Sequence, residues 1–402
     1  MRRFFTCMLS AAALTAGLGL GFQCAPAKAE DRPVQVAGFG AMSGVVRVFG
    51  IGSEAAMKAA AEKINAAGGI KLGDGTTGKF EITYYDDRCN AEEGINVVRR
   101  IAATDAIIAV GPTCSNVAES LFGILQKKVG DSSDSGLQFP IIADVAAKGG
   151  LASISEWAFR NVPNEAEMYK ALFEWVKKEY PDLKTFYGGF EKDFAHSNAT
   201  YGVMKREAEA NGYQLVGESE WLLNDTTFSN QVRDMRRANA DIVAVSAHPF
   251  TTCGVLREMS RQGVKPKLLI GLTSSSSIET VKGCGQQAEG LIIPTGFAPV
   301  NPEAIEAAEA IVAKGGNADL HSAAAYEIMF ILKDVIEQQG IIGKPETLEE
   351  DRKKMREGLA ALKETKGLLG PVARTPDREA VKPFVFVQAK NNNWEVRHNP
   401  GS

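Results

Sequence analysis

The sequence predicts an α/β protein with two doubly wound parallel sheets, and three observations support this fold class. Apolar runs of strand length alternate with amphipathic or alanine-rich helical patterns along residues 34–144. The same alternation starts again after about residue 155 and continues to residue 296. Strands that alternate with helices form right-handed βαβ units, so each series predicts one parallel sheet. Two such series imply two domains of similar design that face each other.

The elements of the two series follow from apolar periodicity and from helix-ending residues. Gly68 and Gly69 end the first helix, because glycine tolerates the left-handed backbone that follows many helices. In the first series, strands are predicted at residues 34–39, 80–87, 106–110 and 139–144, and helices at 53–67, 91–104 and 117–129. In the second series, helices are predicted at residues 164–180, 198–211, 228–239 and 253–262, and strands at 184–190, 213–218, 241–246, 267–271 and 290–296.

The junction AIIAVGPTCSN at residues 106–116 is the first candidate for a functional site. An apolar strand stops at Gly111-Pro112, and a helical pattern follows Ser115. Ligands of open parallel sheets bind beyond the carboxyl ends of strands, where the next helix offers free N–H groups and its positive dipole end. Ser115 would then place a hydroxyl beside an anion site. The alternative is that Ser115 only caps its helix.

Residues 1–29 have the pattern of a cleavable secretory signal peptide. Arg2 and Arg3 precede an apolar run, and residues 27–29, Ala-Lys-Ala, match an A-x-A cleavage site. No later segment has the apolar length of a membrane span. We therefore expect an exported protein. A lipid anchor at Cys24 is disfavoured, because Gly21 stands where that processing needs an apolar side chain.

Charge and motif content exclude several function classes. Removal of residues 1–29 takes away three of the 45 basic residues and none of the 49 acidic ones, which leaves a net charge of −7. A nucleic-acid partner is not expected, because no basic stripe offsets this balance. No G-x-S-x-G, H-E-x-x-H or P-loop motif occurs, and the glycines at positions 38, 40 and 44 have the wrong spacing for a dinucleotide loop. We expect neither an enzyme nor a cofactor.

Four cysteines remain after cleavage, in an oxidising compartment where disulfides are stable. Four cysteines allow three pairings. We favour Cys89 with Cys114 and Cys253 with Cys284, because each pair then falls within one predicted half. A metal site is disfavoured, because no C-x-x-C spacing occurs and the histidines at positions 196, 248, 321 and 398 are scattered along the chain.

Four segments of the first series carry a family resemblance: GAMSGVVRVFG (40–50), EKINAAGGIKL (62–72), YYDDRCN (84–90) and VGPTCSN (110–116). They resemble the first domain of the type I periplasmic solute-binding proteins, in the branched-chain amino acid (Leu/Ile/Val) receptor family that serves ABC importers. The spacing of Cys89 and Cys114 is similar to that of the family's disulfide. Similarity continues through DIVAVSAHPF and FVFVQAKNNNWEV, so it covers essentially the whole mature chain.

The resemblance implies two Rossmann-like lobes joined by three crossovers, with a ligand held as the lobes close. It places residues 30–149 and 294–370 in lobe 1, and residues 150–293 and 371–402 in lobe 2. It also implies a periplasmic protein whose partners are a small solute and the permease and ATPase subunits of an ABC importer. No oligomerisation motif is found, so a monomer is expected.

The resemblance also implies ligand contacts at particular positions of this chain. The loop at residues 110–116 corresponds to the family's carboxylate-binding loop, with Ser115 at the hydroxyl position. Phe49 corresponds to an aromatic cleft wall, with core packing as the alternative. His196 and His248 lie near family aromatic positions, with simple exposure as the alternative. The full set of expected ligand-binding residues is Phe49, Thr113, Cys114, Ser115, Val145, Ala147, His196, His248 and Thr273.

Departures from the family pattern bear on the ligand. Ala147 and Thr273 stand where amino-acid binders use a hydroxyl and a carboxylate to hold the ligand's α-ammonium. A buried ammonium without a partner is costly, so an α-amino acid is disfavoured unless Asp144 or Asp193 substitutes. Our hypothesis is a carboxylate-bearing solute without an ammonium, such as an aromatic or other organic acid, with walls formed by Phe49, Phe194 and Phe250. The alternatives are an amino acid or amide binding protein and a receptor that signals to a membrane partner.

Overall fold

The computed structural model describes residues 32–401, so the expected signal peptide lies outside the described residues. Within this range, none of the helices combines the length and the apolar character that a membrane crossing requires. The predicted α/β fold class is confirmed, because the chain forms two large sheets in which most neighbouring strands are parallel.

The first sheet is formed by the N-terminal part of the described chain. Its strand order is β2-β3-β1-β4-β5-β6, and only the short β2 pairs in the antiparallel direction. The elements are β1 (Arg32–Gly40), α1 (Arg47–Ala66), β2 (Ile70–Lys71), β3 (Thr77–Asp86), α2 (Ala91–Ala102), β4 (Ala109–Val110), α3 (Ser115–Phe122), β5 (Ile141–Ala143) and β6 (Ala158–Arg160).

Helix α3 is shorter than predicted. The apolar pattern predicts a helix over residues 117–129, but the helix ends at Phe122. Beyond it, Leu125 forms a β-bridge with Leu137, and the Gln126 amide donates to the Leu137 carbonyl at 3.1 Å. Leu125 is 1% exposed. The same apolar residues are therefore buried by a tertiary pairing that no local pattern specifies.

The second sheet has the strand order β16-β15-β11-β10-β9-β7-β8. Strands β7 to β11 pair in parallel, and the two C-terminal strands add an antiparallel edge. The elements of this region are α4 (Glu165–Glu179), β7 (Thr185–Glu191), α5 (Ala195–Ala210), β8 (Gln214–Trp221), α6 (Ser229–Ala238), β9 (Ile242–Ser246), α7 (Pro249–Gln262), β10 (Leu268–Gly271), α8 (Ile278–Cys284) and β11 (Leu291–Thr295).

The C-terminal part of the chain serves both halves of the fold. Apolar side chains of α9 and α10 pack with α1 and the first sheet, whereas β15 and β16 complete the second sheet. The chain therefore crosses between the halves three times. The elements are α9 (Pro302–Ala313), α10 (Leu320–Gln339), α11 (Leu348–Ala361), β12 (Glu364–Lys366), β13 (Pro371–Arg374), β14 (Ala380–Val381), β15 (Val385–Lys390) and β16 (Asn393–His398).

We propose lobe boundaries that follow sheet membership. Strand β6 pairs with β5 of the first sheet, although the expected boundary near residue 150 assigned it to the second lobe. Strand β11, which ends at Thr295, belongs to the second sheet. The three crossings then lie near residues 161–164, 296–301 and 382–384. The first boundary moves because the sequence pattern of β6 does not show which sheet the strand joins. Its pairing with β5 assigns it to the first sheet.

Candidate functional site

Each large sheet has one point where its winding direction reverses. In the first sheet, β1 lies between β3 and β4, and in the second sheet β7 lies between β8 and β9. Ligand crevices of open α/β sheets form beyond the carboxyl ends of the strands at such a point. The segments that follow Gly40 and Val110 in the first lobe, and Glu191 and Ser246 in the second, are therefore the candidate site.

The first-lobe side is formed by Thr113, Cys114 and Ser115 between β4 and α3. The Ala41 amide donates to Thr113 Oγ1 at 2.9 Å, which ties this loop to the end of β1. Cys114 is bonded to Cys89, with the sulfur atoms 2.02 Å apart, and this is the pairing that the sequence favours. All three residues of the loop are buried, so their conformation is held before any ligand arrives.

Ser115 does not cap its helix. Cys114 occupies the N-cap position, and Ser115 is the first residue of α3. Its Oγ instead accepts a hydrogen bond from the Lys148 amide at 3.1 Å. The hydroxyl thus joins the loop after β4 to the loop after β5, and its proton is free to be donated elsewhere.

The loop after β5 contains Val145 and Ala147, which are 3% and 1% exposed. The buried Arg160 stabilises the conformation of this loop, because its Nε donates to the Ala146 carbonyl at 3.0 Å and its Nη2 donates to the Ala147 carbonyl at 2.9 Å. Arg160 also forms an ion pair with Glu379. These residues therefore connect the first crossing segment to the backbone that positions Ser115.

The second-lobe side contains a buried pair of Glu191 and His248. The carboxylate accepts hydrogen bonds from the His248 amide at 2.9 Å, from His248 Nδ1 at 2.5 Å and from the Thr251 hydroxyl. Glu191 is the last residue of β7, and His248 precedes α7. Because every one of these partners donates to it, this carboxylate is stabilised by hydrogen bonds within its own lobe.

A second buried carboxylate, Glu165, is paired with His196 at the start of α5. His196 Nε2 lies 2.8 Å from Glu165 Oε1, and the hydroxyls of Thr200 and Thr273 also donate to this carboxylate. Burial alone would raise the pKa of Glu165, but the His196 charge and these donors hold it below its usual value. The expected site residues His196 and Thr273 therefore act together on one anion.

The lobes contact each other through a cluster of buried apolar side chains. Phe49, Cys114 and Val145 of the first lobe pack with Phe194 and Leu223 of the second. The rings of Phe49 and His248 meet edge to face across this boundary, with centroids 6.0 Å apart. The structure thus brings two of the three expected wall residues, Phe49 and Phe194, into one cluster between the lobes.

One expected wall residue lies elsewhere. Phe250 is 48% exposed in the first turn of α7, so it is not part of the interlobe cluster.

The two acids considered as partners for a ligand ammonium already form hydrogen bonds within the protein. Asp144 is fully buried and bonded to Ser53, and Asp193 accepts from the Leu223 amide at 2.9 Å.

Four polar residues of the site are absent from the expected set: Glu165, Glu191, Ser274 and His321. Glu191 ends a strand at the reversal point, so the rule that identified Ser115 could also have found it. Glu165 could not be recognised from the sequence, because an acidic residue in the first turn of a helix is common. His321 lies on α10, far from the other site segments in sequence. Two of the histidines that are scattered in sequence, His196 and His248, are neighbours in space, since their rings are 5.6 Å apart. In residues 32–401, no group of three or more potential ligands is arranged to hold a metal ion.

The pH dependence of stability should carry a contribution from Asp144. Burial raises the pKa of this carboxyl from 3.8 to about 7, although Ser53 opposes the shift. The folded state therefore keeps the proton longer than the unfolded state, and stability from this group is full below about pH 4 and falls as the pH rises to about 7. We expect Asp144→Asn to flatten the pH profile of the free energy of unfolding and to be more stable than the parent above about pH 7.

The matched control for this experiment is Asp105→Asn, because Asp105 is exposed. Urea unfolding at a series of pH values measures both variants. A profile for Asp144→Asn that is as steep as that of the control would contradict the role assigned to the buried carboxyl. Asp87, whose pKa burial also raises to about 7, contributes a further decline with the same sign.

Comparison with known proteins identifies the family. The model of the periplasmic binding protein family matches residues 33–393, which is nearly the whole described chain. The chain is a periplasmic binding protein. Within this group it belongs to the type I, branched-chain amino acid receptor family, as the sequence motifs predict. Periplasmic binding proteins of this family are substrate-binding proteins of ABC transporters rather than enzymes.

Relatives and solved structures agree with this assignment. The Leu/Ile/Val-binding protein homolog 3 of Brucella melitensis is 24% identical over 340 residues, which are 83% of this chain and 85% of the relative. The substrate-binding protein LivJ of Streptococcus pneumoniae, solved with isoleucine, is 18% identical with a TM-score of 0.76, over 91% of this chain and 98% of that one. A solute-binding protein of R. palustris, solved with benzoate, is 15% identical with a TM-score of 0.76, over 92% and 96% of the two chains. This periplasmic binding protein therefore shares its fold with proteins that hold different kinds of solute.

Proposed function

We propose that the protein is the periplasmic receptor of an ABC importer and that it captures a small carboxylate-bearing solute without an α-ammonium. The lobes close over the solute, and the closed form docks on the permease of the importer, whose ATPase subunits complete the transporter at the inner membrane. The leader at residues 1–29 supports export to the periplasm. We expect the receptor to act as a monomer, since one chain supplies both lobes.

The observation that carries the carboxylate part of the proposal is the position of Ser115. It begins α3 at the reversal point of the first sheet, where helix N–H groups and the helix dipole favour an anion. Its hydroxyl already accepts from the Lys148 amide, so its own proton can be donated to a carboxylate oxygen. A hydrogen bond to a charged group is about twice as strong as a neutral one.

The absence of an ammonium site is supported by the partners of the buried acids. Glu165 and Glu191 each accept from a histidine and from at least one threonine hydroxyl within the second lobe. An ammonium placed beside either acid would have to displace those donors. Leaving a buried donor or acceptor unpaired costs about 1–3 kcal/mol.

The amino-acid alternative also has a specific observation in its favour. Glu165 and Glu191 are carboxylates at the second-lobe face of the site, and sequence reasoning did not anticipate them. If their histidines release them on ligand binding, an α-ammonium could take their place. The relatives named as Leu/Ile/Val-binding proteins make this the appropriate competitor.

A thermal-shift screen followed by calorimetry tests the proposal. The panel contains neutral L-amino acids, aromatic acids, aliphatic acids, dicarboxylates and amides. A ligand that binds only the folded state raises apparent stability by mass action, by about 2.7 kcal/mol at one hundred times its Kd. Tight binding of a neutral L-amino acid without binding of any organic acid would refute the ligand class proposed here.

Ser115→Ala should weaken binding of the best acid found in the screen by about 1–3 kcal/mol, because the carboxylate loses a hydroxyl donor. Calorimetry measures the change in Kd. The control is Ser132→Ala, an exposed serine outside α3, which should leave the Kd unchanged. The melting temperature of each unliganded variant is also measured, because Ser115 supports the Lys148 amide. A lower melting temperature with an unchanged Kd would make Ser115 a structural residue only.

A further inference from the structure

A cavity of about 320 Å³ lies on the first lobe, outside the candidate site. Its walls come from α1, α9, α10 and the segment around β12, and no described residue of the candidate site lines it. Pockets that hold small molecules have volumes of about 300–1,000 Å³. This cavity therefore has the size for a compact ligand, such as an aromatic ring with a short side chain.

Part of the lining is apolar and includes an aromatic pair. Tyr326 and Phe330 lie one turn apart on α10, and their ring centroids are 5.3 Å apart. Leu368, from the segment after β12, lines the same cavity. Phe330 and Leu368 are only partly buried by the protein, so both keep apolar surface that a ligand can cover. Such a surface favours the body of an aromatic or apolar molecule.

The buried carboxylate of Glu327 fixes one wall of the cavity. It accepts hydrogen bonds from the Leu368 amide at 2.8 Å and from Asn161 Nδ2 at 3.1 Å. It also forms an ion pair with Lys382, in which each side chain is 4% exposed. The position of Leu368 is therefore set before any ligand arrives, and Glu327 already has its counter-ion.

Two further acids of the lining are paired with lysines. Lys63 Nζ lies 2.7 Å from Glu306 Oε1, and Lys366 forms an ion pair with Glu303. Each of these four side chains is at least 45% exposed, so both pairs lie on the solvent side of the cavity. Within each pair the two charges compensate each other.

Asp334 is the acid of the lining that lacks such a partner. It lies one turn beyond Phe330 on α10, so the carboxylate and the ring share one face of the helix. Within residues 32–401, Asp334 makes no hydrogen bond or ion pair. Partial burial raises the pKa of Asp334, the nearby Lys333 opposes this shift, and Glu337 adds to it. A cation beside this carboxylate would stabilise its charged form.

We propose that this cavity is a second binding site, which takes a small organic cation with an aromatic body. The ammonium group of the ligand pairs with Asp334, and its ring packs against Phe330 and Leu368. An ammonium close to an aromatic face also gains a cation–π attraction. This site is independent of the proposed function, because it shares no described residue with the cleft.

Calorimetry with three probes tests the ligand class. The probe 2-phenylethylammonium carries a ring and a positive charge, 2-phenylethanol carries only the ring, and butylammonium carries only the charge. We expect 2-phenylethylammonium to bind about fivefold or more tightly than either of the other two, because only this probe meets both the carboxylate and the apolar wall. Equally tight binding of the alcohol or of butylammonium would refute the proposed class.

Substitutions locate the bound amine. Asp334→Asn removes the charge and keeps the shape, and should weaken binding of 2-phenylethylammonium about fivefold without affecting 2-phenylethanol. Phe330→Leu keeps an apolar side chain without a ring, and should weaken the amine about threefold. The control is Glu309→Gln, because Glu309 is an exposed acid of α9 that does not line the cavity. The melting temperature of each variant shows that it is folded.

A loss of affinity in Asp334→Asn that is absent in Glu309→Gln supports the second site. Equal losses in the two variants would mean that the amine responds to the negative surface in general, and an unchanged Kd in Asp334→Asn would mean that it binds elsewhere. Either result, or no binding of the amine at all, overturns the inference and leaves the receptor function standing. The best acid of the thermal-shift screen should bind Asp334→Asn and the parent equally, and its failure to bind either would count against the proposed function alone.

Discussion

Replacing Lys382 with methionine is expected to lower the free energy of unfolding by about 3–5 kcal/mol, because it leaves a buried carboxylate without its counter-ion. Lys382 and Glu327 form an ion pair in which each side chain is 4% exposed. Glu327 also accepts from Asn161 Nδ2 at 3.1 Å and from the Leu368 amide at 2.8 Å. Urea unfolding monitored by circular dichroism measures the loss as a lower midpoint at constant slope.

Two controls show whether the loss comes from an uncompensated charge. The double variant Lys382→Met with Glu327→Gln should recover much of the stability, because neither charge of the pair is then left without the other. Lys353→Met removes one partner of the exposed i,i+4 pair with Glu349, whose side chain is 86% exposed, and should cost less than about 1 kcal/mol. Equal losses for Lys382→Met and Lys353→Met would contradict this account.

The buried pair also bears on lobe movement. Asn161 belongs to the first crossing segment, Lys382 to the third, and Glu327 to α10 of the first lobe. One carboxylate therefore holds two of the three crossings against the first lobe. Closure changes backbone angles mainly at a few such hinge positions. We expect variants of this pair to change the rate of lobe closure as well as stability.

Removing the second disulfide should cost about 3–4 kcal/mol of unfolding free energy, because the unfolded chain loses the restraint of a closed loop. Cys253 on α7 and Cys284 at the end of α8 are bonded, are 31 residues apart in sequence and are 5% and 2% exposed. The test variant is Cys253→Ser with Cys284→Ser, and urea unfolding measures the loss.

The first disulfide provides the matched comparison. Cys89 and Cys114 are 25 residues apart, so the chain-entropy contribution of their bond is similar. Cys114 adjoins Ser115, whereas Cys253 and Cys284 lie in a separate core cluster of the second lobe. We expect both double serine variants to lose stability and only Cys89→Ser with Cys114→Ser to weaken ligand binding. Weaker binding in both would show that the effect on affinity comes from general destabilisation.

Local sequence pattern predicted most strands but not where every element ends. The run that ends at Val110 is apolar and β-branched because it lies inside a parallel sheet, and that signal is visible without a structure. The residues beyond Phe122 are equally apolar, but Leu125 is buried by pairing with Leu137. Likewise, only pairing with β5 shows that β6 belongs to the first sheet. A local pattern indicates that a residue is buried, but it does not indicate which residues it packs against.

The candidate site also contains residues that the sequence marks and contacts that only the fold shows. Ser115, Phe49 and Thr273 could be named from the sequence because strand ends and family motifs mark them. The pairing of His196 with Glu165, and the contact of His321 with Ser274, join residues 31 and 47 positions apart. By itself the sequence predicted the two-lobed α/β architecture, favoured the cysteine pairs that form, and indicated one edge of the candidate site. The partners of each buried histidine and carboxylate were decided by tertiary structure alone, because hydrogen bonds between segments that are distant in sequence depend on how the strands and helices pack.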